Sequence, residues 1–280
     1  MDSTKRITTA RDIAKEFEQI APIESGVPGD ELGFILGNPD IPVKGIGCMW
    51  CAHIESIQYC IENDINMIIC HESLWLSGQK SPWYEAPDDS QIFSNRKRRE
   101  MLETHGITVY RSHSNWDALP VDGIADSAVT ALGIDGLKTV SRKKFFSIQE
   151  LPEPITVNQL LHSVQIGLGY DGCRVFGDHT KKIQCFAFLI GGFGENQLHM
   201  PQVAMELGAE AVIIGEMSEF IVLACLDMGL PVIETLHSVS EIPGIKRQAA
   251  ILSDRFPELP VKYVPSGINY SLYPSLGSEK

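Results

Sequence analysis

The chain has no long apolar run, no surplus of basic charge and no second cysteine pair, and each absence removes a class of function. Its longest apolar stretches, CFAFLI and FIVLACL, fall short of the ~18 residues that cross a bilayer. The sequence therefore predicts no transmembrane helix and no membrane partner. Lys and Arg number 23 against 36 Asp and Glu, a formal charge of −13. Nucleic acids and anionic lipid surfaces need clustered positive charge, so neither is an expected partner. An acidic field of this size suits a protein that holds cations. The opening MDSTKRITTARDIAKEF carries no apolar stretch behind its basic residues and does not read as a secretory signal, which points to the cytoplasm.

Seven cysteines are present, at 48, 51, 60, 70, 173, 185 and 225. The number is odd and most lie in apolar segments, as expected of reduced thiols that pack as small hydrophobes. Cys48 and Cys51 form a CxxC in GIGCMWCAH, with neither Pro nor Gly between them. Without a second CxxC to complete a zinc knuckle, the pair is expected to be structural. A thiol-redox function would rest on this motif alone.

What is present is an alternation. The 280 residues are 44% hydrophobic and 21% charged, enough for one large domain or two small ones. From residue 45 onward, short β-branched runs alternate with helical ones. GIGCMW, NMIIC and ITVYR read as strands, separated by AHIESIQYCIENDI and SNRKRREMLETHG. A second series runs KKIQCFAFLIGG, NQLHMPQVAMELG, AEAVIIG, SEFIVLACLDMG and LPVIETL, and ends in a helix through GIKRQAAILSDRF. This pattern predicts an α/β fold of two lobes with mainly parallel sheets flanked by helices. The first lobe is expected to take 1–135 with 235–280, and the second 136–234. Residues from about Gly136 to Gly172 show no clear long helix and read as the passage between lobes.

Four times a strand ends and a polar residue follows: His71, His113, Glu216 and His237. Ligands of open parallel sheets bind beyond the carboxyl ends of the strands, so these residues and Asp117 are expected to line one crevice between the lobes. LHSVSE places His237 and Glu241 at i and i+4, on one face if a helix starts near Ser238. Asp117 follows in a turn where Asp also commonly caps a helix. Cys70 and His71 are neighbours, which face opposite sides of a strand unless the backbone turns. GGFGENQ lacks the third glycine of a dinucleotide fingerprint and reads as a strand-to-helix turn whose amides could hold a phosphate. NRKRRE reads as a solvated helix face. Trp83 and Tyr84 are expected to pack their loop down rather than cover the site.

The segments DELGFILGNPD, IICHESLW, RSHSNWDALPVDGIADSAVTALGI, CFAFLIGGFG, AVIIGE and ETLHSVSEIPGIKRQAAIL resemble, in order and spacing, the NIF-three-like dinuclear-metal-centre family. Some of its members are labelled GTP cyclohydrolase I type 2 homologues. The resemblance runs from about Thr9 to Pro265. It implies two divalent metal ions and a ligand set of His71, Asp117, His237 and Glu241, with His113 the loop histidine beside them. It also implies a ring-shaped homohexamer. Two positions depart from the family pattern: Cys70 stands where its first motif has His, with Glu72 in place of Pro, and Leu236 stands where it has Gly. Cys70 ligates zinc or iron when ionised, which makes it a fifth candidate ligand. If it is instead a buried thiol, one ion is expected, and Glu72 could restore an oxygen ligand.

The function these features imply is metal-assisted hydrolysis of a small molecule, with His113 or Glu216 as general acid or base. A nucleotide such as GTP is suggested by the family label alone. The rival reading is a metal-binding scaffold or interaction protein without catalysis.

Overall fold

The computed structural model describes residues 8–78, 85 and 87–267; Trp83 and Tyr84 lie outside the described residues. The first elements in chain order are α1 (Ala10–Glu18), β1 (Gly33–Leu36), β2 (Ile46–Met49), α2 (Ile54–Glu62) and β3 (Met67–Cys70). They are followed by α3 (Phe93–Thr104), β4 (Thr108–Arg111), the single turn α4 (Ser114–Asp117) and α5 (Ile124–Ala131). The chain continues through β5 (Lys138–Arg142), β6 (Phe146–Thr156), α6 (Val157–Leu168), β7 (Arg174–Phe176) and β8 (Lys182–Phe193). It ends with α7 (Met200–Glu206), β9 (Val212–Met217), α8 (Glu219–Asp227), β10 (Val232–Glu234), α9 (His237–Arg255) and β11 (Val261–Tyr263).

These elements form two compact units, one running up to Ser127 and taking in Ile242–Ser266, the other Ala128–Glu241. The divisions fall inside α5 and α9, so His237 and Glu241 group with the second unit. The expected boundaries had placed them in the first.

In the first unit a five-stranded sheet has the order β1-β4-β3-β2-β11. The four strands from β4 to β11 are parallel, and β1 lies antiparallel at the edge. Strands β2 and β3 are buried at every residue, IGCM and MIIC, as parallel strands covered on both faces must be. Thr9 opens α1 with a capping box on Asp12, satisfying donors that the first turn leaves without helical acceptors.

The second unit has a six-stranded sheet in the order β5-β6-β8-β9-β10-β7. Here only the β8-β9-β10 core is parallel; β5, β6 and β7 pair antiparallel. The mainly parallel reading therefore holds for the first sheet and for the centre of the second. Strands β5 and β6 come from the stretch expected to be a passage between lobes. FSIQELPEPIT is an 11-residue strand whose two prolines mask its period. VNQLLHSVQIGL is a full helix, started by a Thr156–Gln159 capping box and stopped by Gly169 in the left-handed conformation, where glycine has no Cβ to strain.

Among the described residues no helix is long and apolar enough to cross a membrane. The cores differ in character. The second unit packs Phe146, Ile148, Leu189, Ile214 and Val232 on its sheet. In the first, Trp116 is fully buried. It stacks on Phe17 at 5.5 Å and donates from its indole nitrogen to the Gly244 carbonyl at 3.2 Å.

Trp116 thereby anchors the short turn α4, which on its own is too brief to be stable. Replacing Trp116 with Ala should cost about 3–5 kcal/mol, measured as a lowered denaturant midpoint at unchanged slope. A loss under about 1 kcal/mol would show that α4 is held by other means.

Candidate metal centre

Strands β3 and β4 lie side by side, with Cys70 opposite Arg111, so the residues that follow them emerge together at the carboxyl end of the sheet. His71 is fully buried. Its Nδ1 lies 3.0 Å from the Ser112 carbonyl oxygen. A carbonyl only accepts, so Nδ1 carries the hydrogen and the lone pair of a neutral ring sits on Nε2. That Nε2 faces Asp117 Oδ1 at 3.4 Å. A lone pair and a carboxylate oxygen at this range repel unless a proton or a cation lies with them.

His113, the residue before α4, completes the group. Its ring stands 4.9 Å from that of His71 in an edge arrangement. Its Nε2 lies 4.0 Å from Asp117 Oδ2 and 3.9 Å from Glu72 Oε1. His71, His113 and Asp117 each offer one donor atom, all within 4.8 Å of one another. Two convergent imidazoles, one buried and one half-buried, with a buried carboxylate are the donor chemistry of a divalent metal site.

A residue the sequence reading missed holds this group in place. Asp30 accepts from His113 Nδ1 at 2.9 Å, from the Ser114 amide at 3.2 Å and from the Ser114 hydroxyl at 2.5 Å. Its other oxygen takes Arg111 Nη1 at 2.6 Å. Burial by itself would raise the Asp30 carboxyl. The hydrogen bonds from His113 and Ser114, with the charges of His113 and Arg111, outweigh it and hold the group far below the usual carboxylate range. A carboxylate donating orientation to a histidine in this way is the usual support of a metal-binding imidazole. The one available signal was DELGF, which precedes an edge strand and has no metal-ligand spacing of its own.

Cys70 is not brought to this group. It is fully buried, on the same strand face as Ile68, in the apolar cluster with Leu102, Ile107 and Val109. Burial pushes its thiol up to about 12. The period-two alternation of the strand sends Cys70 to one side, and the backbone turns only after it. Cys48 is likewise buried inside β2, and burial raises its thiol and that of Cys51. All seven cysteines are free thiols. In the basic run, Arg98 is buried and donates to the Leu74 carbonyl at 2.8 Å, so that helix face is not wholly solvated.

The second unit carries its own donor cluster. His237 opens α9, and its Nε2 lies 3.3 Å from Glu241 Oε1 one turn on. Its Nδ1 lies 3.1 Å from Glu216 Oε1. Glu241 is buried while Glu216 is exposed. Strand β9 runs two residues further than expected, so Glu216 sits inside it, opposite Gly192, rather than beyond its end.

Glycines make the space. A Cβ on Gly191 would meet Glu241 Oε1 at 2.7 Å and His237 Nε2 at 2.9 Å. On Gly192 it would meet Glu216 Oε1 at 2.7 Å. On Gly215 it would meet the Gly191 carbonyl at 2.4 Å, Ser240 Oγ at 2.7 Å and His237 Cα at 2.8 Å. Gly191 and Gly192 of GGFG thus belong to strand β8 and to the walls around His237. The Gly194 amide is already taken by Gln197 Oε1 at 2.9 Å, so this turn does not offer it to a phosphate.

Comparison with known proteins agrees with this geometry. The family model described as Duf34/NIF3 (NGG1p interacting factor 3) matches residues 8–269. A GTP cyclohydrolase 1 type 2 homolog of Clostridium acetobutylicum is 26% identical over 242 residues, covering 84% of this chain and 86% of that one. One from Clostridium perfringens is 24% identical, covering 87% and 91%. The solved structure of a Bacillus cereus protein related to NIF3 superposes with a TM-score of 0.78 at 16% identity, over 97% of this chain and 100% of that one. Reduced HcgD from Methanocaldococcus jannaschii gives 0.73 at 18% identity, over 92% and 98%. At these identities the solved structures establish the fold.

Gly215→Ala should cost about 1–3 kcal/mol, because the added methyl meets backbone and cannot be relieved by a rotamer change. Gly192→Ala meets the movable end of Glu216 and should cost less than Gly215→Ala. Thermal denaturation of the two variants checks the order. Asp30→Asn should weaken binding of an added divalent ion by about 10–100-fold, read by competition with a chromophoric chelator.

Proposed function

Since the chain belongs to the Duf34/NIF3 family, we propose that each of its two donor clusters holds a divalent metal ion and that the ions serve a hydrolase of phosphorylated small molecules. The observation that supports this most directly is the His71–Asp117 pair, with a hydrogen-bonded Nδ1 behind the imidazole and a carboxylate in front of it. The ligands in this reading are His71, His113 and Asp117 in the first unit and His237 and Glu241 in the second. With Cys70 packed in the sheet, the donors are imidazole and carboxylate, a set suited to zinc, iron or manganese.

Bound divalent ions supply Lewis acidity toward water and toward a phosphoryl oxygen. The chain's own residues do the rest. Asp30 fixes His113 and Ser112 fixes His71, so neither ring has to be ordered when an ion arrives. That anchoring favours His113 as a ligand over a proton carrier. Glu216, exposed and hydrogen-bonded to His237, would take the proton of an attacking water, with His237 Nδ1 orienting its carboxylate. A nucleotide substrate is supported by the names of the relatives, and a ring hexamer by the family resemblance.

A second reading, a metal-holding interaction protein, draws on the words "interacting factor" in the family's description. Turnover separates the two. Release of phosphate from a nucleotide panel, abolished by chelation and restored by metal, would support the hydrolase. Full metal occupancy without turnover would support the interaction protein.

Elemental analysis tests the ligand set. His71→Ala and Asp117→Asn should each lower metal per chain, as should His237→Ala. Cys70→Ser and Cys48→Ser should keep the parent's content. A Cys70→Ser protein that loses metal while His71→Ala does not would move the centre to the thiol.

A further inference from the structure

The second unit carries an open cavity of about 620 Å³, within the ~300–1,000 Å³ typical of small-molecule sites. His237 and Glu216 line it, and so do Arg174, Glu234 and Ser218. We propose that this cavity binds a phosphate-bearing small molecule, with Arg174 as its anion anchor and the Ser218 hydroxyl as its second contact.

Arg174 lies directly opposite Glu234 in the antiparallel β7–β10 pairing, and the two side chains form an ion pair. Glu234 is buried, with its other oxygen accepting the Met217 amide at 3.1 Å. The Arg174 side chain is 63% exposed. Its guanidinium also lies over the Phe176 ring at 5.5 Å. The arginine is therefore fixed from behind by a buried carboxylate and an aromatic face. A guanidinium has five N–H donors in a rigid fork, and one carboxylate contact leaves others to take an oxyanion.

The second feature is independent of the arginine. Ser218 precedes α8 and makes no side-chain cap bond. Its Oγ is buried and has no hydrogen-bond partner among the described residues. The Ser218 amide already donates to the Phe193 carbonyl at 3.1 Å, so the hydroxyl is the donor this position offers. A serine and a held guanidinium thus line one cavity. Its two carboxylates are occupied, Glu234 by Arg174 and Met217, and Glu216 by His237. Because His237 is on the same wall, a molecule held by its phosphate at Arg174 would present its reacting group to the metal cluster. The inference rests on the hydrolase reading for what happens to the ligand, and not for its binding.

Chelator-treated protein keeps the two apart. Inorganic phosphate titrated into it should bind saturably by ³¹P NMR or calorimetry. Arg174→Gln should weaken that binding about tenfold or more, and Ser218→Ala by a few-fold. Arg174→Gln leaves Glu234 buried and uncompensated, so the pair Arg174→Gln/Glu234→Gln is measured beside it and should bind as weakly. Parent-like affinity in a folded Arg174 variant overturns the proposal. So does a parent that binds no phosphate saturably, or acetate displacing phosphate at equal concentration. Metal content of untreated samples is read separately, and its loss in His71→Ala bears on the metal centre and not on this site.

Discussion

The Asp30 carboxylate is the constraint on which the first donor cluster depends. It is taken out of water and then returned four hydrogen bonds, two from Ser114 and one each from His113 and Arg111. Each partner sits at the end of β4 or just beyond it, so a single charge gathers a strand end, a loop and a helix start. Arg111 also donates to the His71 carbonyl at 3.1 Å and to the Glu31 carbonyl at 2.9 Å. The same charge therefore reaches the end of β3. Removing it would leave a buried guanidinium short of its counter-ion, a far larger penalty than losing an exposed pair.

The second cluster rests on a different economy. It has no comparable buried hub; His237 stands between Glu216 and Glu241, and the room for all three comes from missing side chains. Position is set by the β8–β9 register, in which Gly192 faces Glu216, and by one helical turn from His237 to Glu241. A rigid sheet on one side and a helix start on the other give the donors their spacing, with Ser240 Oγ tying the helix to the Gly191 amide at 3.3 Å.

Much of this was legible from the amino acids. The βα alternation showed where strands end, and the residues past those ends, His71, His113 and His237, are among the donors. Spacing alone put His237 and Glu241 on one helix face. What the sequence could not carry was cross-chain chemistry. Asp30 is about 80 residues from its partners, and no local period marks it. Cys70 beside His71 looked like a ligand because adjacency in sequence hides which face a strand residue takes. The stretch after Gly136 was read as a passage because LPEP interrupts the alternation of β6, although the helix after it had both its capping box and its glycine stop in plain view.

Most functional sites are damaged by losing atoms. Around His237 the danger is reversed, since Gly191, Gly192 and Gly215 are each one methyl away from a collision. Random mutation therefore acts on this wall almost in one direction: every replacement of a glycine adds bulk. Gly191, with φ of +71°, adds backbone strain to the collision. A deep mutational scan of the chain should then show Gly191 and Gly215 intolerant of even alanine, and Gly192 of larger side chains, within a strand region where neighbouring apolar residues accept one another. That fingerprint would mark the site without any ligand being known.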